Sequence, residues 1–146
     1  MDLTKEYPAS VREKLLGVVQ IKRTIDKGKA KAKGNIGEYH YDCPMDQAIF
    51  GFLGLDAATF LEVIKNAKSD QEISDYVKPF VAKKSSAEID EWNAEWLEHR
   101  PDPGSDGEKY FLDLRNQVAP TRTDVTSWAD LLDLDEKRPV PQRVAV

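Results

Sequence analysis

Side chains that could perform chemistry are concentrated in the stretch GEYHYDCPMDQ, residues 37–47. It holds one of the two histidines, the only cysteine, two tyrosines and three carboxylates. A cysteine at a helix start has its thiolate stabilised by free backbone N–H groups, and His40 is close enough in sequence to act as a base for Cys43. The charges of Asp42 and Asp46 oppose that ionisation, and a lone cysteine is most often a small buried hydrophobe. The candidate catalytic residues are His40, Asp42, Cys43 and Asp46.

The same stretch could supply an acid–base pair or metal ligands. Glu38, Asp42 and Asp46 are close in sequence, but no carboxylate from a distant segment is identifiable as a partner. His40, Asp42, Cys43 and Asp46, joined by His99, have suitable donor atoms for a metal. A structural zinc site usually takes recognisable cysteine or histidine pairs, and the sequence has no CxxC or HxxxH. We therefore predict no metal and no cofactor.

Aromatic residues suggest where a small ligand could bind. In an extended stretch, Tyr39 and Tyr41 share one face and His40 takes the other. Trp92 and Trp96 are one helical turn apart and therefore share a face, for which core packing is the default interpretation and a pocket wall the alternative. The candidate ligand-binding residues are Glu38, Tyr39, His40, Tyr41, Trp92 and Trp96.

A basic strip, KRTIDKGKAKAK, occupies residues 22–33. Lysines at alternate positions do not line one face of a helix, and cations near a helix C-terminus are stabilised by its dipole. We therefore favour a solvated face over a nucleic-acid site. If the strip binds anything, a small anion or an acidic protein surface is expected. The candidate anion-binding residues are Lys22, Arg23, Lys27 and Lys29.

Serine–glutamate pairs three residues apart indicate several helix starts, because the two residues can cap a helix reciprocally. The pairs are Ser10/Glu13, Ser69/Glu72, Ser85/Glu88 and Ser105/Glu108. The first helix is predicted from about Val11 towards Lys33. A second should begin near Cys43 or Pro44, since proline is favoured in a first turn, and Asp56 should cap a third.

Helical periodicity recurs in every long segment and no convincing strand pair is found. We predict an all-α bundle of six or seven helices, with a short extended insert at residues 36–42 and an extended C-terminal tail. The insert is expected to be a buried polar connector between the first two helices. It is also a candidate for the floor of a pocket. We assign a single domain to residues 1–138 and the tail to residues 139–146.

Composition describes an ordinary globular chain of 146 residues, 40% hydrophobic and 32% charged, with net charge −5. Residues 1–42 carry +3 and residues 43–146 carry −8. A single cysteine cannot form an internal disulfide, which fits a reducing compartment. Without an apolar signal-like start or a spanning segment, we expect a soluble cytoplasmic protein with no membrane partner.

Three stretches, residues 2–15, 25–47 and 126–136, resemble an uncharacterised bacterial family of small proteins known as a domain of unknown function. The resemblance covers nearly the whole chain, and GEYHY-CP-D is its most specific block. It implies a stand-alone cytoplasmic protein. It supplies no catalytic residues.

These observations favour a small non-catalytic binding or regulatory protein that acts through its acidic surface, basic strip or tail. One alternative is a small-ligand-binding protein or enzyme with its site at residues 38–46. Another is weak nucleic-acid or anion association through residues 22–33. The expected partner is a protein or small molecule rather than nucleic acid, and the expected state is a monomer or small homo-oligomer.

Overall fold

The computed structural model describes residues 1–143 and is all-α. Apart from an isolated bridge between Leu15 and Val18, no β-structure occurs in these residues. The prediction of six or seven helices is confirmed. The helices are α1 (Ile21–Ala32), α2 (Pro44–Leu53), α3 (Ala57–Asn66), α4 (Asp70–Ala82), α5 (Ser86–Leu97), α6 (Asp106–Val118) and α7 (Trp128–Asp135).

Serine caps begin three of the predicted helices. The hydroxyl oxygens of Ser69, Ser85 and Ser105 accept backbone N–H groups three residues later, at 3.3, 3.1 and 3.1 Å. The Ser85 pair is reciprocal, since the Glu88 carboxylate accepts the Ser85 N–H at 3.0 Å. Asp56 caps α3 in the same way, accepting the Thr59 N–H at 2.9 Å. The sequence pattern therefore locates these starts correctly.

The predicted start of the first helix is wrong, because α1 begins at Ile21 rather than near Val11. Leu16 and Gly17 have φ values of 53° and 79°, in the left-handed region that a right-handed helix excludes. They form a two-residue turn in which Leu15 and Val18 exchange backbone hydrogen bonds of 3.0 Å. Val11 is nevertheless fully buried. The apolar spacing therefore indicated burial correctly in this segment, but it did not indicate a helix.

The chain divides into two compact units, Met1–Glu91 and Trp92–Val146, with the division inside α5. In the first unit, α1 packs against α2 and α3, and α3 packs against α4. Gly28 permits the close approach of α1, because a Cβ there would lie 2.7 Å from Ile64 Cδ1. The single domain proposed for residues 1–138 stays a prediction.

In the second unit, a core of Phe111, Val125 and Leu131 joins α6 to α7. Trp128 packs edge-on against Phe111, with ring centroids 5.0 Å apart. Residues 139–143 have no regular secondary structure, and the rest of the predicted tail, residues 144–146, lies outside the described residues.

None of the described helices is by itself long and apolar enough to cross a membrane. Taken together, α2 and α3 meet that length and composition criterion, with a bend of 92° between them.

Candidate functional site

The insert at residues 36–42 contains no helix and makes two turns, with positive φ at Gly37 (61°) and Asp42 (66°). The side chains of Glu38, His40 and Asp42 are exposed, whereas Tyr41 is buried. The expectation of a buried polar connector is therefore wrong for His40 and Asp42. The turns satisfy part of the backbone locally and leave these polar side chains in solvent.

Tyr41 anchors the insert to the core of the first unit. Its hydroxyl donates to the Ala57 carbonyl at 2.9 Å, and its ring packs against Phe50 with centroids 5.9 Å apart. Burial raises the pKa of Tyr41 well above its usual value, and the negative charge of Asp46 raises it further. Tyr41 is thus a neutral structural residue.

A polar network, which we call the Asp46 network, lies between α1 and the start of α2. Asp46 is fully buried and Lys27 is 4% exposed, and Lys27 Nζ lies 2.8 Å from Asp46 Oδ2. The Thr24 hydroxyl donates to Asp46 Oδ1 at 2.6 Å, and Gln20 Nε2 lies 3.5 Å from the same oxygen. The Cys43 backbone N–H donates to Asp46 Oδ2 at 3.3 Å.

These contacts engage both oxygens of Asp46, and all of them are internal to the protein. A buried charge needs a counter-charge and hydrogen bonds to offset its lost hydration, and this network supplies them. Asp46 has no exposed surface through which to meet a substrate. Its geometry is that of a structural carboxylate.

Cys43 is the N-cap of α2 and is half-buried. The polar contact to its sulfur comes from the side chain of Lys27, whose Nζ lies 3.2 Å from Sγ. The structure therefore brings together Cys43, Asp46 and Lys27. The exposed His40, predicted as the base for Cys43, is not part of the Asp46 network.

The four candidate anion-binding residues take different partners. Lys22 pairs with Glu13 at 2.8 Å, which raises the pKa of Lys22. Arg23 donates to the Ala9 carbonyl at 3.2 Å and lies over the Tyr39 ring. Lys29 pairs with Asp70.

The interpretation of the basic strip as a solvated face is wrong for Arg23 and Lys27, which are both buried. Lys27 is buried against Asp46 of α2, and Arg23 is held by the Ala9 carbonyl and the Tyr39 ring. Anion binding by the strip stays a prediction.

In the second unit, Trp92 and Trp96 stack with ring centroids 5.5 Å apart, as their spacing predicts. His99 continues the stack, 4.8 Å from Trp96. Both tryptophans are half-buried and His99 is exposed. Ligand binding by these aromatic residues stays a prediction.

An open groove of about 590 Å³ lies in the first unit, between α3 and α4. We call it the acidic groove, because three carboxylates and no Lys or Arg occur among the described residues that line it. The Glu72 carboxylate accepts the Lys68 N–H at 2.9 Å, and Asp75 accepts the Gln71 amide at 2.8 Å. The lining residues are Thr59, Glu62, Val63, Asn66, Ala67, Glu72, Asp75 and Tyr76.

Histidines, cysteines and carboxylates are the metal-binding side chains of residues 1–143. No group of three or more of them is arranged to hold a metal ion in that part of the chain.

The fold and the sites define a class: a small all-α protein with an internally paired polar network at the α1–α2 junction and an acidic groove. The chain belongs to the family described as a domain of unknown function, DUF5069, whose family model matches residues 5–138. The family resemblance inferred from the sequence is thereby confirmed. No curated protein matches the chain.

Sequence reasoning missed Gln20 and Thr24 as members of the Asp46 network. A usable signal was present, because Gln20, Thr24 and Lys27 are spaced as one face of a helix. The acidic groove was missed as well. Its carboxylates come from two helices, and only the packing of those helices brings them together.

Proposed function

We propose that this chain is a non-catalytic binding protein whose acidic groove takes a positively charged segment of a partner protein. The observation that carries the proposal is the groove itself. It combines Glu62, Glu72 and Asp75 on one open surface without a lysine or arginine among its described lining residues.

The state of the other ionisable groups supports a non-catalytic role. The two carboxylate oxygens of Asp46 are engaged inside the protein, and the side chain that contacts Cys43 Sγ is that of Lys27. A general base must reach the substrate proton that it removes, and Asp46 is fully enclosed and meets no substrate. The catalytic alternative at residues 38–46 therefore has less support.

The chemistry of the groove favours a lysine- or arginine-rich partner. Carboxylates pair with both cations, and the ring of Tyr76 offers a face for a cation. Tyr76 is held in place by stacking on Phe60, with ring centroids 5.9 Å apart. The charge of −8 over residues 43–146 adds long-range attraction for a basic partner.

The test is a titration of a fluorescently labelled, arginine- and lysine-rich peptide, followed by anisotropy at low ionic strength. The wild-type chain is compared with the triple variant Glu62→Gln, Glu72→Gln, Asp75→Asn. We expect the triple variant to bind about 3- to 150-fold more weakly, because three exposed ion pairs of about 0.2–1 kcal/mol each contribute about 0.6–3 kcal/mol and about 1.4 kcal/mol is tenfold in affinity.

A matched control removes the same net charge from α5 by Asp90→Asn, Glu91→Gln and Glu95→Gln, three exposed positions. This control separates groove binding from general attraction, and it should retain most of the wild-type affinity. Equal weakening by both triple variants, or no binding of the peptide by the wild type at low salt, would overturn the proposal.

A further inference from the structure

The sulfur of Cys43 has a close neighbour that could react with it. Lys27 Nζ lies 3.2 Å from Cys43 Sγ, within contact distance of the two atoms. Cys43 is half-buried, whereas Lys27 is held in the interior at 4% exposure. The amine is therefore fixed beside the thiol by the fold.

We propose that peroxide oxidation joins Cys43 and Lys27 through a covalent sulfur–nitrogen bond, a sulfenamide. Sulfenic acids formed from cysteine condense with nearby nucleophiles, nitrogen included. The chain contains no second cysteine, so no intramolecular disulfide competes. Lys27 is the side-chain nucleophile that the structure places at the sulfur.

The reaction proceeds in two balanced steps with hydrogen peroxide as oxidant. In the first, the Cys43 thiol and one peroxide give a sulfenic acid and one water, so sulfur loses two electrons and the peroxide O–O bond is reduced. In the second, the neutral Lys27 amine attacks sulfur, the N–S bond forms and the S–O bond breaks. The hydroxyl group leaves with one amine proton as a second water.

Asp46 is positioned to prepare the amine for this attack. Its Oδ2 atom lies 2.8 Å from Lys27 Nζ and can accept the proton that the ammonium must lose before its lone pair attacks sulfur. Asp46 is thus a positioning residue and proton acceptor. The Thr24 hydroxyl holds the other carboxylate oxygen at 2.6 Å.

The bond would tie α1 directly to the start of α2. It would close the segment between residues 27 and 43, which includes the insert at residues 36–42. Oxidation would then change the freedom of a surface segment without a second protein or a second cysteine.

The experiment treats the purified full-length chain with hydrogen peroxide, without added thiols, and measures its intact mass and tryptic map. We expect a product about 2 Da lighter, from the net loss of two hydrogens, and its reversal by dithiothreitol. Trypsin should fail to cleave after Lys27, so that a fragment of residues 24–29 is found linked to residues 34–65.

Four controls make the result specific. Cys43→Ser and Lys27→Arg should abolish the linked fragments, whereas Lys22→Arg, on the same helix but paired with Glu13, should form them as the wild type does. Wild-type protein oxidised in denaturant should not form them, since the two atoms are then apart. Oxygen addition to Cys43 with normal cleavage after Lys27, or no change at either residue in folded wild-type protein, would overturn the proposal.

Discussion

Two clusters of paired charges, one in each unit, each set a cation against a buried aspartate, but the cation is buried in one cluster and largely exposed in the other. In the Asp46 network of the first unit, Lys27 and Asp46 are 4% and 0% exposed. In the second unit, Arg143 holds Asp130 by two guanidinium contacts of 2.9 and 3.1 Å, but its own side chain is 45% exposed. We call this second cluster the tail clamp.

The tail clamp fixes residues 140–143 through several modest contacts. Arg122 donates to the carbonyls of Val140 and Pro141 at 3.0 and 3.1 Å. The Asp124 carboxylate accepts the Arg143 backbone N–H at 2.8 Å and pairs with Arg122 at 3.0 Å. Hydrogen bonding from Arg122 holds the pKa of Asp124 well below its usual value.

Burial, more than contact geometry, therefore decides how much each ion pair contributes to stability. An exposed ion pair is screened by water and typically contributes about 0.2–1 kcal/mol. Removing one partner of a buried pair leaves an uncompensated charge in the interior, which costs about 3–5 kcal/mol. We therefore expect the Asp46 network to control stability and the tail clamp to control only the position of the tail.

The largest effect is expected for Asp46→Asn. Asparagine keeps the size and some hydrogen bonds of aspartate but leaves Lys27 charged and unpaired, so the free energy of unfolding should fall by about 3–5 kcal/mol. The matched variant Asp42→Asn alters an exposed carboxylate and should change stability by less than about 0.5 kcal/mol. Urea unfolding followed by circular dichroism measures both, and equal losses would contradict the role of depth.

A smaller effect is expected for Tyr41→Phe, which removes the hydrogen bond to the Ala57 carbonyl. The loss should be about 0.5–1.5 kcal/mol in denaturant unfolding at neutral pH. Tyr110→Phe, at a residue 62% exposed, is the control and should be close to neutral.

The raised pKa of Tyr41 adds a prediction for alkaline pH. Its folded-state pKa lies above the unfolded value of about 10, so its contribution is full below that pH and is lost as the pH rises above it. Wild-type stability should therefore fall more steeply above about pH 10 than that of Tyr41→Phe. Parallel curves for the two proteins would show that Tyr41 ionises as easily when folded.

Arg143→Ala should have a still smaller effect on stability. Asp130 is itself buried, but the Arg143 side chain is 45% exposed, so removing it lets water reach the Asp130 carboxylate, and the loss should be about 1 kcal/mol or less. Limited proteolysis should cut the tail faster in this variant than in Arg100→Ala, which alters another exposed arginine. A loss as large as that of Asp46→Asn would contradict the comparison.

The smallest effect is expected for Asp124→Asn, a small loss of stability near neutral pH that disappears in acid. Because the folded-state pKa of Asp124 is depressed, its contribution is present above the unfolded value of about 3.9 and is lost as the pH falls below it. Replacing Asp124 should make the acid limb of the stability curve shallower. Asp113→Asn, at an exposed position of α6, should leave the acid limb as in the wild type.

Local chemistry explains which parts of the fold could be predicted from the sequence. A serine or aspartate cap acts within three residues. The helix starts can therefore be predicted from neighbouring residues alone, as they are at Ser69, Ser85, Ser105 and Asp56. Ser10 and Glu13 show the same pattern without a helix, because the turn at Leu16 and Gly17 follows. A cap pattern permits a helix but does not specify that the next residues continue it.

The candidate site was less predictable because it depends on which helix faces meet. The sequence predicts that Lys27 is a surface cation, and only the packing of α1 against α2 makes it the counter-ion of Asp46. Gly28 lies inside α1 rather than before a turn, and it packs against Ile64. This glycine was the local indication in the sequence that α1 approaches its neighbours closely. The sequence identified Cys43 and Asp46 as candidates but could not supply their partner.

The most direct test of the central claim, that the Asp46 network is a structural ion pair, is a double-mutant cycle of Lys27→Met and Asp46→Asn in urea unfolding. Each single change should cost several kcal/mol, and the double variant should be more stable than the sum of the two losses predicts, with a coupling energy of about 2–3 kcal/mol. The corresponding cycle of Arg143 and Asp130 should give about 1 kcal/mol or less. Additive losses at Lys27 and Asp46, with no coupling between them, would contradict the account.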